Sequence, residues 1–124
     1  MGIRTFWDNA DKTIVRLDFA SWGWLDVHAA IEEFLALSAT VDYPVAALLN
    51  LREANVVPLE GALTNMQYLF HMLPDKLALV GVKPLGKIML NIFFSMQPSY
   101  RQRVFLAETL DEARTLLNAA RQIK

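Results

Sequence analysis

The stretch Pro44-Val45-Ala46-Ala47-Leu48-Leu49-Asn50-Leu51 is a proline followed by a near-continuous apolar run, the pattern of a strand covered on both faces. A second run of the same kind, Leu77 to Val82, lies downstream. A strand with no wet side needs helices to cover it, and helical periodicity fills the chain between and around these two runs. Trp24, Val27, Ile31, Phe34, Leu35 and Ser38 fall on one side of a helix wheel over about Gly23 to Ala39, with Asp26, Glu33 and Leu37 roughly opposite. A second helix is expected over about Leu59 to Leu73, closed by Pro74, and a third over Pro84 to Gln97 with its proline in the tolerated first turn.

Outward from this centre, Ile3 to Asp8 and Thr13 to Ala20 are β-rich runs separated by the turn formers Asn9-Ala10-Asp11-Lys12, which predicts an antiparallel hairpin. Val15, Leu17 and Phe19 alternate with Arg16 and Asp18, so the second strand has a dry and a wet side and belongs near a sheet edge. At the other end, Arg103 to Ala107 reads as the last strand. Thr109-Leu110-Asp111-Glu112 then forms a capping box for a helix whose Leu110, Ala113, Leu117 and Ala120 share a face. The order is ββαβαβαβα, an α/β fold with a mixed sheet of about five strands and four helices. At 124 residues, one domain is expected.

This order, with the opening hairpin, the Trp24 helix, the Ala46-Ala47-Leu48-Leu49-Asn50-Leu51 and Leu77-Ala78-Leu79-Val80-Gly81 strands and the ending Arg103-Val104-Phe105-Leu106-Ala107-Glu108-Thr109-Leu110-Asp111-Glu112-Ala113, resembles the STAS domain. Within that family the likeness is to SpoIIAA-like proteins related to bacterial anti-sigma-factor antagonists, over roughly Thr13 to Ile123. The resemblance implies a regulatory binding domain, and it permits an apolar small molecule as ligand. Antagonists of this family carry an Asp-Ser-Ser-Gly motif before the second helix, and phosphorylation of one serine switches off partner binding. The matching stretch here is Pro58-Leu59-Glu60-Gly61, in which only Gly61 agrees. No serine lies between Ser38 and Ser95, so Glu60 stands where the family has its phosphosite. A carboxylate there is favoured by the helix macrodipole by about 0.3–1 kcal/mol.

Composition narrows the function classes further. Formal net charge is −1, with no basic field of the kind that gathers nucleic acid. The chain has no cysteine, which excludes a disulfide scaffold, a thiolate metal site and a cysteine nucleophile. The most apolar window, Leu77 to Met96, is interrupted by Lys83, Pro84, Lys87 and Asn91, so no membrane span is expected. Met1 to Asp8 carries Arg4 and Asp8 around Phe6 and Trp7 and does not read as a signal peptide, which makes the cytoplasm the default compartment.

Neither histidine has a second histidine three or four residues away, so no metal site is expected. His28 has Glu32 one turn later as a surface partner, and His71 falls on a polar side with Thr64 and Gln67. The four serines, Ser21, Ser38, Ser95 and Ser99, sit in no nucleophile elbow, and no catalytic residues and no cofactor are assigned. The one nucleotide-like motif is Gly81-Val82-Lys83-Pro84-Leu85-Gly86-Lys87-Ile88. It has the glycine and lysine spacing of a phosphate loop, but Ile88 stands where a magnesium-binding hydroxyl belongs and Pro84 removes an amide from the cradle. Nucleotide binding at Gly81 to Lys87 is therefore the alternative function.

With 54% apolar residues, the chain is richer in apolar side chains than folding alone requires. On the third helix, Leu85, Ile88, Met89, Ile92 and Met96 are expected to pack on the sheet, leaving Leu90 and Phe94 on the opposite side. On the second, Leu63, Met66, Phe70 and Leu73 make the core face and Tyr68 and Met72 lie at its outer edge. Tyr68, Met72, Leu90 and Phe94 are thus the expected binding surface, suited to a second copy in a homodimer, a regulatory protein or an apolar small molecule.

Overall fold

Asn9 makes the chain's first reversal. Its carbonyl oxygen accepts the Lys12 amide at 3.1 Å, and its side-chain Oδ1 accepts those of Thr13 at 3.0 Å and Ile14 at 3.2 Å. Lys12 takes the left-handed conformation this turn requires, at φ 57°. In a computed structural model that describes residues 2–55, 57–74 and 76–122, the turn joins antiparallel strands β1 (Ile3–Trp7) and β2 (Ile14–Phe19). There follow α1 (Trp24–Ser38), β3 (Ala46–Asn50), α2 (Ala62–Met72), β4 (Leu77–Val80), α3 (Pro84–Met96), β5 (Val104–Ala107) and α4 (Leu110–Gln122). The order is the expected one, with a 3₁₀ helix over Pro98–Arg103 that the sequence reading lacks.

The five strands form one mixed sheet in sequential order β1-β2-β3-β4-β5, with β2 to β5 parallel and in register at Ile14↔Ala46, Ala47↔Leu77 and Leu77↔Val104. Because each crossover steps to the next strand in the same direction, crossovers of one hand place α1, α2 and α3 on one face. There Val15, Leu17, Phe19, Ala47, Leu49, Leu77 and Leu79 meet Val27, Ile31 and Phe34 of α1, Met66, Leu69 and Phe70 of α2, and Leu90, Phe93 and Phe94 of α3. The last helix, α4, has no strand to return to and covers the other face, where Ile14, Leu48, Ala78, Val80 and Ala107 meet Ala113 and Leu117. The central strands β3 and β4 are buried on both sides, which is why they are apolar without alternation.

Thr109 caps α4 as expected, its Oγ1 accepting the Glu112 amide at 3.1 Å. The Glu112 carboxylate reaches the amide of Glu108 at 2.8 Å, one residue outside the standard box. On α1 the buried side is Val27, Ala30, Ile31 and Phe34, while Leu35 is exposed and Leu37 packs against the core, so the helix is rotated from the expected stripe.

The orientation of α3 overturns a larger expectation. Leu90, Phe93 and Phe94 are 7%, 2% and 5% exposed, whereas Ile88, Ile92 and Met96 are 55%, 44% and 61% exposed. The helix is apolar nearly all round, so two stripes compete and the wheel alone cannot choose. Gly86 and the aromatics decide it. Gly86, Leu90, Phe93 and Phe94 form a stripe whose glycine is so close to Val82 that a Cβ there would lie 2.9 Å from Val82 Cγ1. At the other end, Phe93 and Phe94 pack on Phe70 at ring distances of 5.2 and 6.0 Å. The stripe that is buried puts Leu90 and both phenylalanines against the core, where the rings gain aromatic contacts with Phe70 that Ile88, Ile92 and Met96 could not make.

Candidate functional site

At the carboxyl ends of β2, β3 and β4, the sheet and the three helices on its face do not close completely. A cavity of about 70 Å³, partly open to the surface, lies between Phe19, Leu49 and Leu79 of the strands and Met66, Leu69, Met89 and Leu90 of α2 and α3. Trp22, Trp24 and Val57 complete its wall, and every lining residue is apolar or glycine. A second cavity of about 50 Å³ shares Trp22, Leu51, Val57, Val82 and Gly86 with the first and has Asn55 and Lys83 in its wall. The cavity lies beneath the helices toward the carboxyl ends of the parallel strands.

The segment between β3 and α2 borders this space and is pinned at three points. Asn55 Oδ1 accepts the Trp22 amide at 3.0 Å, Lys83 Nζ donates to the Ala54 carbonyl at 2.7 Å, and Trp24 Nε1 donates to the Pro58 carbonyl at 3.0 Å. Trp22 itself stands edge-on to Phe19 and Trp24, at ring distances of 5.2 and 4.9 Å. It is 8% exposed, and its indole Nε1 has no hydrogen-bond partner. Trp22 is the residue that sequence reasoning missed. The signal was Trp22-Gly23-Trp24 at the exit of β2, of which only Trp24 was used.

The four residues assigned to a common surface separate. Leu90 is buried and lines the cavity. Phe94 is buried in a cluster with Phe70 and Phe93, under the guanidinium of Arg101 at 5.2 Å from its ring. Tyr68 lies on the α1 side of α2, stacked on His28 at 4.5 Å, and Met72 packs half-buried against the core. His28 has Asn65 and Tyr68 as partners, not Glu32. Its Nε2 lies 2.9 Å from Asn65 Oδ1, while Asn65 Nδ2 donates to the Gly61 carbonyl, so the imidazole Nε2 carries the donated proton. His71 is exposed with Thr64 and Gln67 on the outer side of α2. Glu60 is exposed and precedes Gly61, the N-cap of α2, so its charge lies outside the first helical turn.

Gly81 to Lys87 forms the turn from β4 into α3. Gly81 has φ 73°, and a Cβ there would lie 2.6 Å from Arg52 Cγ, so a left-handed turn and a close neighbour both require this glycine. Of the lysines, Lys83 is engaged with Ala54 and Lys87 lies 3.9 Å from Glu108.

On the opposite face, α4 leaves β1 and β2 partly uncovered, and charged side chains occupy the gap. The Asp8 carboxylate is 1% exposed and receives Nε and a terminal nitrogen of Arg114 at 2.8 and 2.9 Å, which raises the guanidinium's pKa above its ordinary value. Burial pulls the Asp18 carboxyl upward, but hydrogen bonds from Arg16 and Asn50 and the charges of Arg16 and Arg4 outweigh it and hold the group below its usual value. Arg4 and Arg16 both lie over the Phe6 ring, at 5.2 and 5.3 Å.

Among the described residues, no cluster of three or more histidine, aspartate or glutamate side chains could hold a metal ion, and no helix is long and apolar enough to cross a membrane. No protein-family model matches the chain, and no curated protein is similar enough to count as a relative.

Proposed function

We propose that this chain is a non-enzymatic, STAS-like binding domain of the SpoIIAA-like type, and that it holds a small apolar molecule at the carboxyl ends of β2 to β4. The observation that carries this reading is the cavity itself, walled only by apolar residues and lying beneath α2 and α3 toward the carboxyl ends of the strands. It shifts the binding surface from the outer sides of α2 and α3 to the space beneath them, with Leu90 the one expected residue in its wall. At about 70 Å³ it is smaller than the apolar cavity of about 150 Å³ that accepts benzene, so a monatomic apolar gas, xenon, is the suitable probe. Xenon, compared with helium at the same pressure, is expected to raise the melting temperature in a saturable way, because a ligand that binds only the native state stabilises it by mass action. Leu69→Phe, which enlarges a wall residue, should abolish that shift while leaving the unliganded melting temperature equal or higher. A melting temperature indifferent to xenon in the wild type would remove this function.

A second reading, a homodimer or a regulatory protein partner on the outer side of α3, draws on one specific observation, the exposed Ile88, Ile92 and Met96. Sedimentation at micromolar concentration separates the two occupants by mass. Nucleotide binding at Gly81 to Lys87 finds less support, because both lysines are engaged elsewhere and Pro84 offers no amide to a phosphate.

A further inference from the structure

On the opposite face of the sheet from the cavity, and independently of it, we infer a second binding site, a cleft under the last turn of α4 that takes an aliphatic carboxylate. The registers Ile14↔Ala46 and Ala47↔Leu77, with the Ala47 amide on the Lys76 carbonyl, set Ile14, Ala46 and Lys76 side by side at the amino ends of three parallel strands. Ile14 and Ala46 pack on the α4 side, and Lys76 precedes Ala78 of that side by two residues, so alternation turns it the same way. Leu117, Ala120 and Arg121 of α4 form the other wall. Ala46 and Ala120 are too short to fill the gap between them, and a cleft of about 760 Å³ remains. That falls within the roughly 300–1,000 Å³ of small-molecule sites.

The lining fixes both ends of the ligand. Ile14 and Leu117 are fully buried and give the floor an apolar surface, which calls for a hydrocarbon chain. Lys76 and Arg121 give the rim two positive charges, and no described residue of the lining is acidic. Lys76 is exposed, and its ammonium makes no ion pair with a described carboxylate. Arg121 donates one N–H to the Pro44 carbonyl at 2.9 Å and lies over the Tyr43 ring at 5.4 Å, which holds the guanidinium beside β3 with further donors in hand. The end of α4 opposes an anion with roughly half a negative charge on its last carbonyls. Two cations outweigh that, and the remainder matches a singly charged head, a carboxylate, better than a doubly charged phosphate.

Octanoate, octan-1-ol and octylammonium share a chain and differ in the head, while acetate has the head without the chain. Their binding to the full chain can be followed by backbone amide resonances. Octanoate is expected to move the amides of Ile14, Ala46, Lys76 and Arg121 in a saturable way and to leave those of Met66 and Leu69, at the other cavity, in place. It should bind roughly three- to tenfold more tightly than octan-1-ol, the gain from two solvent-accessible charge contacts. Acetate and octylammonium are expected not to saturate. Lys76→Gln should weaken octanoate about two- to fivefold and leave octan-1-ol within about twofold. Arg121→Gln should do the same, and Lys76→Gln, at an exposed side chain, decides alone should that variant not fold. Equal affinity for octanoate and octan-1-ol, or octanoate binding indifferent to Lys76→Gln, would overturn the anionic head. Acetate as tight as octanoate would overturn the chain, and octylammonium as tight would overturn the charge selection. Shifts at Met66 and Leu69 in place of the α4 face would overturn the location. Octanoate that never saturates would overturn the site, and none of these results bears on the xenon test of the cavity.

Discussion

The two faces of the sheet solve the same covering problem with different materials. Under α4 the contact is made by short side chains, Ala78, Val80, Ala107 and Ala113, around Leu48 and Leu117, and among the described residues no cavity-lining tryptophan or phenylalanine lies there. Under α1, α2 and α3 the contact is made by large ones, Phe19, Trp22, Phe34, Phe70, Phe93 and Phe94, and the packing leaves the cavity at the strand ends. Small residues let a helix sit close to a sheet. Large ones must interdigitate among four elements at once, and the space where they fail to meet is the apolar cavity toward the strand ends. The faces therefore differ in where they leave space: on the α4 side a cleft of about 760 Å³ opens at the amino ends of β2 and β3, lined by Ile14, Ala46 and Leu117 together with Lys76, Asn118 and Arg121, whereas the recess on the other side is about 70 Å³ and apolar.

The largest test of that contrast lies on α3. Phe94→Ala should cost about 3–5 kcal/mol by lost burial and a new void, lowering the melting temperature by well over about 10 °C. Ile92→Ala, on the exposed side, should cost under about 1 kcal/mol. Thermal unfolding of the two variants at low concentration is the check. A large loss from Ile92 and a small one from Phe94 would mean that the helix sits the other way round and that the cavity is not where these side chains place it.

Ala78→Leu probes the packed centre of the α4 face. Ala78 is wholly buried in β4 under α4 beside Leu48 and Phe105, and added methylenes there should cost about 1–3 kcal/mol through overpacking. Denaturant unfolding of this variant beside Leu69→Phe compares the two faces directly. A harmless Ala78→Leu would show that unfilled space extends under α4 as far as Ala78.

How much of this was legible depends on whether the pattern had competitors. The strand-helix order was readable because β3 and β4 show no alternation, and Pro44, Pro74 and Pro84 punctuate the runs. The α4 face was readable because Leu110, Ala113, Leu117 and Ala120 share one side of a helix rich in charged residues, and the last three are buried while Leu110 is half-buried. The α3 face was not, because Leu85, Ile88, Met89, Leu90, Ile92, Phe93, Phe94 and Met96 surround the helix and packing chose between stripes through Gly86 and Phe70. The cavity is a mismatch of shapes among four elements and has no local sequence signal at all. The Asp8 to Arg114 pair joins residues 106 apart in the chain, a distance at which charge patterning says nothing.

The smallest expected effect lies at the uncovered end of the α4 face, where charges stand in for packing. Asp18 takes hydrogen bonds from Arg16 Nε at 2.7 Å, from a terminal Arg16 nitrogen at 3.1 Å and from Asn50 Nδ2 at 3.0 Å. These partners favour the ionised carboxylate more than burial opposes it, so its folded pKa lies below the ordinary 3.8. A group whose pKa falls on folding contributes stability that is fully present above its unfolded value and is lost as pH drops through the folded one. Asp18→Asn should therefore be less stable than the wild type at pH 6. The side chain keeps contact with solvent, so the difference should be about 0.2–1 kcal/mol, as for other solvent-accessible ion pairs. On acidification the two stability curves should converge below the ordinary carboxylate range, and raising the salt to about 1 M at pH 6 should narrow the gap by screening. Urea unfolding of both proteins between pH 2.5 and 6 measures this. Curves that stay parallel through that range would mean that the carboxylate gains nothing from Arg16 and Asn50, and that the open end of this face is held by Phe6 and the strand ladder rather than by charge.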